Sequence, residues 1–310
     1  TTLGLGVPLV SAMIATLFEV EDSMLIKISV LAFWTALFGT SVYKGLKAGI
    51  KILADINVVL AIFAILFVLI AGPGVFILDL TVNSFGLMFS NFMSTATWTD
   101  PIREGDFPEA WTGFYWAWWF AYTGMVGLFF GRISRGRTIR QLVLGVITWG
   151  CIGTWLFLAV MGGYSLFLEK TGALAVTEIL NSQGMSFLNA LVIKSLPFGK
   201  ITLAIFTVLS IIFYATTIDS SAYVISSICA KDLENTQEPR RWNRITWAVL
   251  LALITAGLLQ ADSLQTTLSM TVVSSLPMIP ILILLCISIR KWLEEDFAHL
   301  NLNKEIVKTK

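Results

Sequence analysis

The chain has 310 residues, of which 56% are hydrophobic and 13% charged, with a formal net charge of +1. A soluble domain carries about 25% charged residues, so the composition excludes a soluble enzyme and a disordered chain. A net charge so close to zero leaves no bulk field for nucleic acid. Several apolar runs can each cross a bilayer core of about 30 Å, and the expected class is an all-α polytopic protein embedded in a lipid bilayer.

The first run opens at Thr1-Thr2-Leu3-Gly4 with no basic leader before it. That is not a signal peptide, and it reads as an N-terminally truncated chain that begins inside or at the edge of a helix. Spans are expected over roughly 1–18, 28–43, 49–71, 111–131, 141–168, 201–223, 245–261 and 264–289. Basic residues recur after alternate spans: Lys44, Lys47 and Lys51, then Arg132, Arg135, Arg137 and Arg140, then Lys231, Arg240, Arg241 and Arg244, then Arg290, Lys291, Lys304, Lys308 and Lys310. That places 16 of the 21 Lys and Arg residues on one side, and the positive-inside rule makes that side cytoplasmic. The opposite loops hold Glu19, Glu21, Asp22, Asp100, Glu104, Asp106 and Glu109. Both ends of the chain are expected inside.

Gly72-Pro73-Gly74 stops the third span. Residues 82–98 mix Phe85, Phe89, Phe92 and Trp98 with Asn83, Ser90, Asn91 and Thr97, which predicts an interfacial amphipathic helix within an outer segment 72–110. A second outer excursion is expected over 169–200. Cys151, Cys229 and Cys286 have no metal spacing and read as small core residues. The one histidine, His299, lies in the polar tail. No His, Cys or acidic cluster falls within the spans, so a membrane-embedded enzyme is disfavoured.

The densest signal is Trp111 to Tyr122, where eight of twelve residues are aromatic. At about 100° per residue, Trp111, Tyr115, Trp118, Trp119 and Tyr122 share an arc of roughly 100° on a helix. An interfacial belt would account for Trp111 and Tyr115. It does not account for Trp118, Trp119 and Tyr122, two to three turns deeper, where each N–H or O–H needs a partner. Such a face suits a quaternary ammonium, which has no N–H donor and is held by ring faces at about 0.5–2 kcal/mol each. Three rings supply roughly 1.5–6 kcal/mol, short of the roughly 8 kcal/mol of micromolar binding. Other groups must complete the site.

Phe114-Tyr-Trp-Ala-Trp-Trp119, the loop Gly131-Arg-Ile-Ser-Arg-Gly-Arg-Thr-Ile-Arg140 and Phe213-Tyr-Ala-Thr-Thr-Ile-Asp-Ser-Ser221 together resemble the betaine/carnitine/choline transporter family, as do Thr2 to Gly6 and Lys44 to Asp55. The resemblance covers essentially the whole chain. It implies a LeuT-type core of two inverted five-helix repeats working by alternating access, and a homotrimer. On that mapping residues 1–71 are the last three helices of the first repeat, 72–110 the outer segment, 111–289 the second repeat and 290–310 a cytoplasmic tail. The aromatic helices that would complete the substrate box lie in the preceding part of the first repeat. Trp118 and Trp119 match the family's substrate-facing pair. Trp111 and Tyr115 match an outer vestibule site of carnitine-type members, and Tyr122 a carnitine-type tyrosine. Met125 and Val126 depart from that pattern, which has Gln then Met.

For coupling, the resemblance implies that Thr216 and Thr217, with Phe213 at the head of their segment, bind a sodium ion in sodium-coupled members. The residues themselves equally allow two hydroxyls bonding back to the preceding turn. Lys51 matches an arginine that replaces sodium in carnitine antiporters, and as a plain residue it is a snorkelling lysine within reach of Asp55 at i+4. Asp219 is either a proton site or a structural partner of Lys231 or of an arginine in 132–140. No cofactor other than a possible sodium ion is expected. The resulting expectation is a secondary transporter, in the cell membrane, of a trimethylammonium compound such as betaine, carnitine or choline. The alternative is a sensor or scaffold that binds the same group without transport.

Overall fold

Long apolar stretches and widely spaced prolines dictate helices, and the computed structural model has helices joined by short turns, and no strand, among its described residues, 2–44, 46–102, 105, 107–230, 239–260 and 264–296. The side chains of 38, 40–44, 46–51, 53, 132, 264, 265 and 267 lie outside that description. The helices are α1 (Thr2–Phe18), α2 (Met24–Lys44), α3 (Leu46–Ala71), α4 (Gly74–Ser90), α5 (Phe92–Ala96), α6 (Gly113–Ile133), α7 (Ile139–Phe157), α8 (Gly163–Thr171), α9 (Val176–Gln183), α10 (Met185–Lys194), α11 (Gly199–Ile228), α12 (Arg241–Gln260), α13 (Leu264–Ser275) and α14 (Met278–Asp296). Two π-helical turns interrupt this series: Pro108–Thr112 leads into α6, and Leu158–Gly162 joins α7 to α8.

Four of these segments are long and apolar enough to cross a membrane: 54–71, 139–171, 199–228 and 241–260. A fifth is the pair 268–275 and 278–296, bent by 46°. The expected single span 264–289 is therefore broken, and the break falls at Leu276-Pro277, where proline removes a backbone donor and disfavours a helical residue before it. The amphipathic segment expected at 82–98 begins instead at Gly74, and Asn91 separates α4 from α5. The excursion 169–200 is mostly helical, as α9 and α10.

The chain divides into two units. The first comprises 1–98 and 128–267, and α1 and α11 run through both of its cores. Leu3, Val7 and Val10 of α1 meet Ala215, Ile218 and Ala222 of α11, with Val30, Leu31 and Trp34 of α2 and Ala248 and Leu259 of α12. Further along α1, Met13 meets Leu203, Phe206 and Leu209 of α11, with Ile77, Tyr164 and Leu188. The N-terminal half of one helix thus faces the C-terminal half of the other, so the two are antiparallel. Gly6 allows this approach, because a Cβ there would sit 2.5 Å from the Tyr214 ring. Tyr214 also packs on Trp34 with ring centroids 5.4 Å apart. The second unit comprises 99–127 and 268–310. In it Gly124 of α6 lies against Met278 of α14, where a Cβ would come within 3.4 Å of the methionine methyl, the small-residue packing common between helices in lipid.

Candidate functional site

The aromatic helix starts with a π turn. The N–H of Gly113 donates to the carbonyl of Pro108, five residues back, and Pro108 itself stands where a missing N–H costs nothing. From there Trp111, Tyr115 and Trp118 form a ladder. Trp111 and Tyr115 stack with centroids 6.3 Å apart and planes 29° from parallel, and Tyr115 and Trp118 follow at 6.1 Å and 28°. Phe114 is 2% exposed and sets its ring against both Tyr115 and Trp118 at 5.5 Å. Ala117 is buried on the same side. Phe114 and Ala117 are the α6 residues that hold the ladder in place.

This geometry sorts the five predicted aromatic residues. A cation binds over a ring face within about 6 Å of its centroid. The inner faces of the ladder are turned on one another, with no room for a trimethylammonium group between them. Trp119 is 64% exposed, and among the described residues no ring contact involves it or the half-buried Tyr122. The structure therefore joins Trp111, Tyr115 and Trp118 into one stack and leaves Trp119 as the open indole. The hydroxyl of Thr123 donates to the Trp119 carbonyl at 2.6 Å and spends its hydrogen on the backbone.

The second predicted cluster lies on α11. The Thr216 and Thr217 hydroxyls both donate to the Phe213 carbonyl, at 2.8 and 3.1 Å. One turn on, Ser220 donates to the Thr216 carbonyl and Ser221 to that of Thr217. This is the back-bonded arrangement that the residues allowed. It consumes the two hydroxyl hydrogens and the Phe213 carbonyl's lone pairs, and leaves on the two hydroxyl oxygens the acceptors that a small hard cation can use. Lys51 belongs to α3, which packs on α11, but its side chain lies outside the described residues, as do Lys231 and His299.

Asp219 has a partner other than the two expected. Its carboxylate accepts from Arg244 of α12 at 3.2 Å, with Arg244 1% and Asp219 3% exposed. The Arg244 guanidinium also lies over the Tyr223 ring, 5.4 Å from its centroid. Arg244 thus leaves the set of cytoplasmic loop charges in which its sequence neighbours placed it. The signal was present in the sequence: an arginine one turn into an apolar helix needs a buried anion.

Outside the spans, Glu19 accepts from Lys200 at 2.9 Å and lies 3.8 Å from Lys194. The Lys200 hydrogen bond and the two ammonium charges hold its carboxyl below the ordinary glutamate value. Asp22 accepts from the buried Ser11 hydroxyl and lies 3.7 Å from Lys27. No group of three or more His, Cys, Asp and Glu residues able to hold a metal ion occurs among the described residues.

Residues 1–298 match the family described as BCCT, betaine/carnitine/choline family transporter. The chain belongs to this family. Its curated BCCT relatives include a carnitine transporter of Acinetobacter baumannii, 32% identical over 92% of this chain and 52% of the relative. The high-affinity choline transport protein of Escherichia coli K12 is 32% identical over 98% of this chain and 45% of the relative. A glycine betaine transporter of Acinetobacter baylyi is 31% identical over 98% and 46%. The chain spans about half the length of the curated relatives it matches. The BCCT family is one of transporters rather than of enzymes, and a multi-pass membrane protein is what the apolar helices of this chain require.

Proposed function

We propose that this protein transports a trimethylammonium compound, of the betaine, carnitine or choline class, across the cell membrane. The open indole of Trp119 beside a closed ladder carries the reading. A closed stack pre-orders the helix surface, and a free ring face then meets the cation without first unstacking. Ring attraction of about 0.5–2 kcal/mol per face falls short of micromolar affinity, so groups beyond these five rings share the work. The names of the relatives support the substrate class, and their three different substrates keep its exact member open to assay. A LeuT-type pair of inverted repeats, alternating access, a homotrimer and a cytoplasmic C-terminus complete the proposal. They rest on the family and on the distribution of Lys and Arg along the chain.

For coupling we propose sodium-independent transport. Sodium, where it is co-transported, is cargo, and the hydroxyl oxygens of Thr216 and Thr217, one turn after Phe213, are the group that would meet it. A Lys51 ammonium a few ångströms away would repel it by about 4 kcal/mol at an effective dielectric of 20. The test is uptake of radiolabelled betaine, carnitine and choline into proteoliposomes of the full-length protein, in sodium and in N-methylglucamine buffer. Uptake of at least one, with glycine excluded, is the expected result, at equal rates in both buffers. Equal handling of glycine and trimethylglycine rejects the substrate class. Strict sodium dependence rejects the coupling.

A further inference from the structure

The buried ion pair lies one turn from Thr216, the nearer of the two hydroxyls on α11, while Thr217, two residues from Asp219, faces away from it. Thr216 and Asp219 are three residues apart on one helix, so their Cβ atoms are about 5–6 Å from each other. Ala215, Ile218 and Ala222 of α11 and Ala248 of α12 are buried around this turn, and water has little access to screen its charges. A carboxylate in that position would ordinarily attract a cation to the neighbouring hydroxyls. Here it already faces the Arg244 guanidinium at 3.2 Å, and that guanidinium also lies over the Tyr223 ring. Asn243, the residue before Arg244, donates to the Ser226 carbonyl at 3.1 Å and ties the start of α12 to α11.

We propose that Arg244 sets the ion preference of the hydroxyl pair on α11: it neutralises Asp219 and so withholds from Thr216 and Thr217 the negative charge that would draw sodium to them. Arg244 is a positioning residue here, acting through Asp219 and touching neither substrate nor ion. The inference deepens the coupling part of the proposed function and is independent of which substrate is carried. The size of the effect follows from Coulomb's law. One unit charge about 8 Å away, at an effective dielectric of about 20, changes cation affinity roughly thirtyfold.

The sign of the effect separates this role from a structural one. Arg244→Gln leaves a carboxylate beside the hydroxyls, Asp219→Asn leaves a guanidinium there, and the double variant leaves neither. The experiment measures binding of radioactive sodium ion to the purified full-length protein in detergent, with Lys51→Met in every protein compared, the wild-type reference included, so that the Lys51 charge does not mask the effect, and with size-exclusion profiles to confirm folding. No substrate is added, so failure of the substrate assignment does not affect the reading. Arg244→Gln is expected to bind sodium at least tenfold more tightly than wild type. The double variant is expected to bind at least tenfold more tightly than Asp219→Asn, a comparison that stands even where Arg244→Gln does not fold. A folded Arg244→Gln with wild-type affinity, or without measurable sodium binding, overturns the proposal. Equal affinities of Asp219→Asn and the double variant overturn it as well, and leave the pair as a staple between two helices.

Discussion

Helices α6 and α11 are both rich in groups that a membrane interior does not tolerate bare, and they treat them in opposite ways. On α11 each hydroxyl from Thr216 to Ser221 bonds to a carbonyl three or four residues back, and the one carboxylate is paired with Arg244. On α6 the rings are displayed: Tyr115, Trp116 and Trp119 are each about half exposed or more. A helix that satisfies its own polar groups is built to be packed, and α11 has neighbours along its whole length. A helix that leaves indole faces open is built to be contacted. The contrast fits the proposal of capture on α6 with α11 as the holding helix, and five substitutions can break or sharpen it.

The largest effect is expected at the buried pair. Arg244→Ala removes the guanidinium that faces the buried Asp219 carboxylate, and breaking a buried pair by removing one partner costs about 3–5 kcal/mol of stability. A drop in folded yield and in the Tm of the purified protein would show it, and Asp219→Asn on that background should recover part of the loss. Next is Gly6→Ala. The new methyl would overlap the Tyr214 ring, which is itself packed on Trp34 and Phe213. Overpacking of this kind costs about 1–3 kcal/mol, read as a lower Tm. Tyr214→Leu in the same chain should relieve it. A Gly6→Ala protein as stable as wild type would mean that α1 and α11 are less closely packed than described.

On α6 the corresponding change leaves stability alone. Trp119→Leu removes an exposed ring that touches no other ring, so Tm should hold. Binding of a trimethylammonium substrate should weaken by about 1–2 kcal/mol, measured as a rise in Kd or in the half-saturating concentration for uptake. Phe114→Leu should do the reverse, lowering Tm first, because Phe114 is the buried support of the stack. If Trp119→Leu destabilises the protein and leaves affinity unchanged, the capture role moves to another face.

The sequence announced these two helices unequally. The α6 face was legible because aromatic residues at i, i+3 and i+4 can share only one side of a helix. Which of them would stack and which would stay open was not, because that depends on side-chain rotamers and on the support from Phe114. The hydroxyl pattern of α11 followed from Thr and Ser at these spacings. The Asp219–Arg244 pair did not, since 25 residues separate the two and only the packing of α11 on α12 brings them together. The break at Pro277 was readable but was masked by the apolar residues on both sides. The π turns were not readable, since each is a single turn of five residues and leaves no periodicity of its own in the sequence.

The smallest expected effect concerns the opposite end of α11 and completes the comparison within that helix. Lys200, in its first turn, is paired with Glu19 as Arg244 is paired with Asp219, but Glu19 and Lys200 are both exposed. Water screens that pair, and salt screens it further. Glu19→Gln keeps the side-chain shape and the left-handed backbone at this residue (φ 57°) while removing the charge, so it isolates the electrostatic part. The carboxyl of Glu19 is held below its ordinary value. Its pairing therefore stabilises the folded state above the unfolded glutamate value, near pH 4.3, and that stabilisation is lost as pH falls through the lower folded value. Wild type and Glu19→Gln should differ slightly in Tm at pH 7, less at high salt, and should converge as pH falls through the lowered folded value of Glu19. Substitution of the buried pair should show no such salt dependence. A salt-insensitive Glu19→Gln loss would mean that the exposed bridge works as a geometric clamp between the α1–α2 loop and the start of α11, and that burial does not distinguish the two ends of this helix.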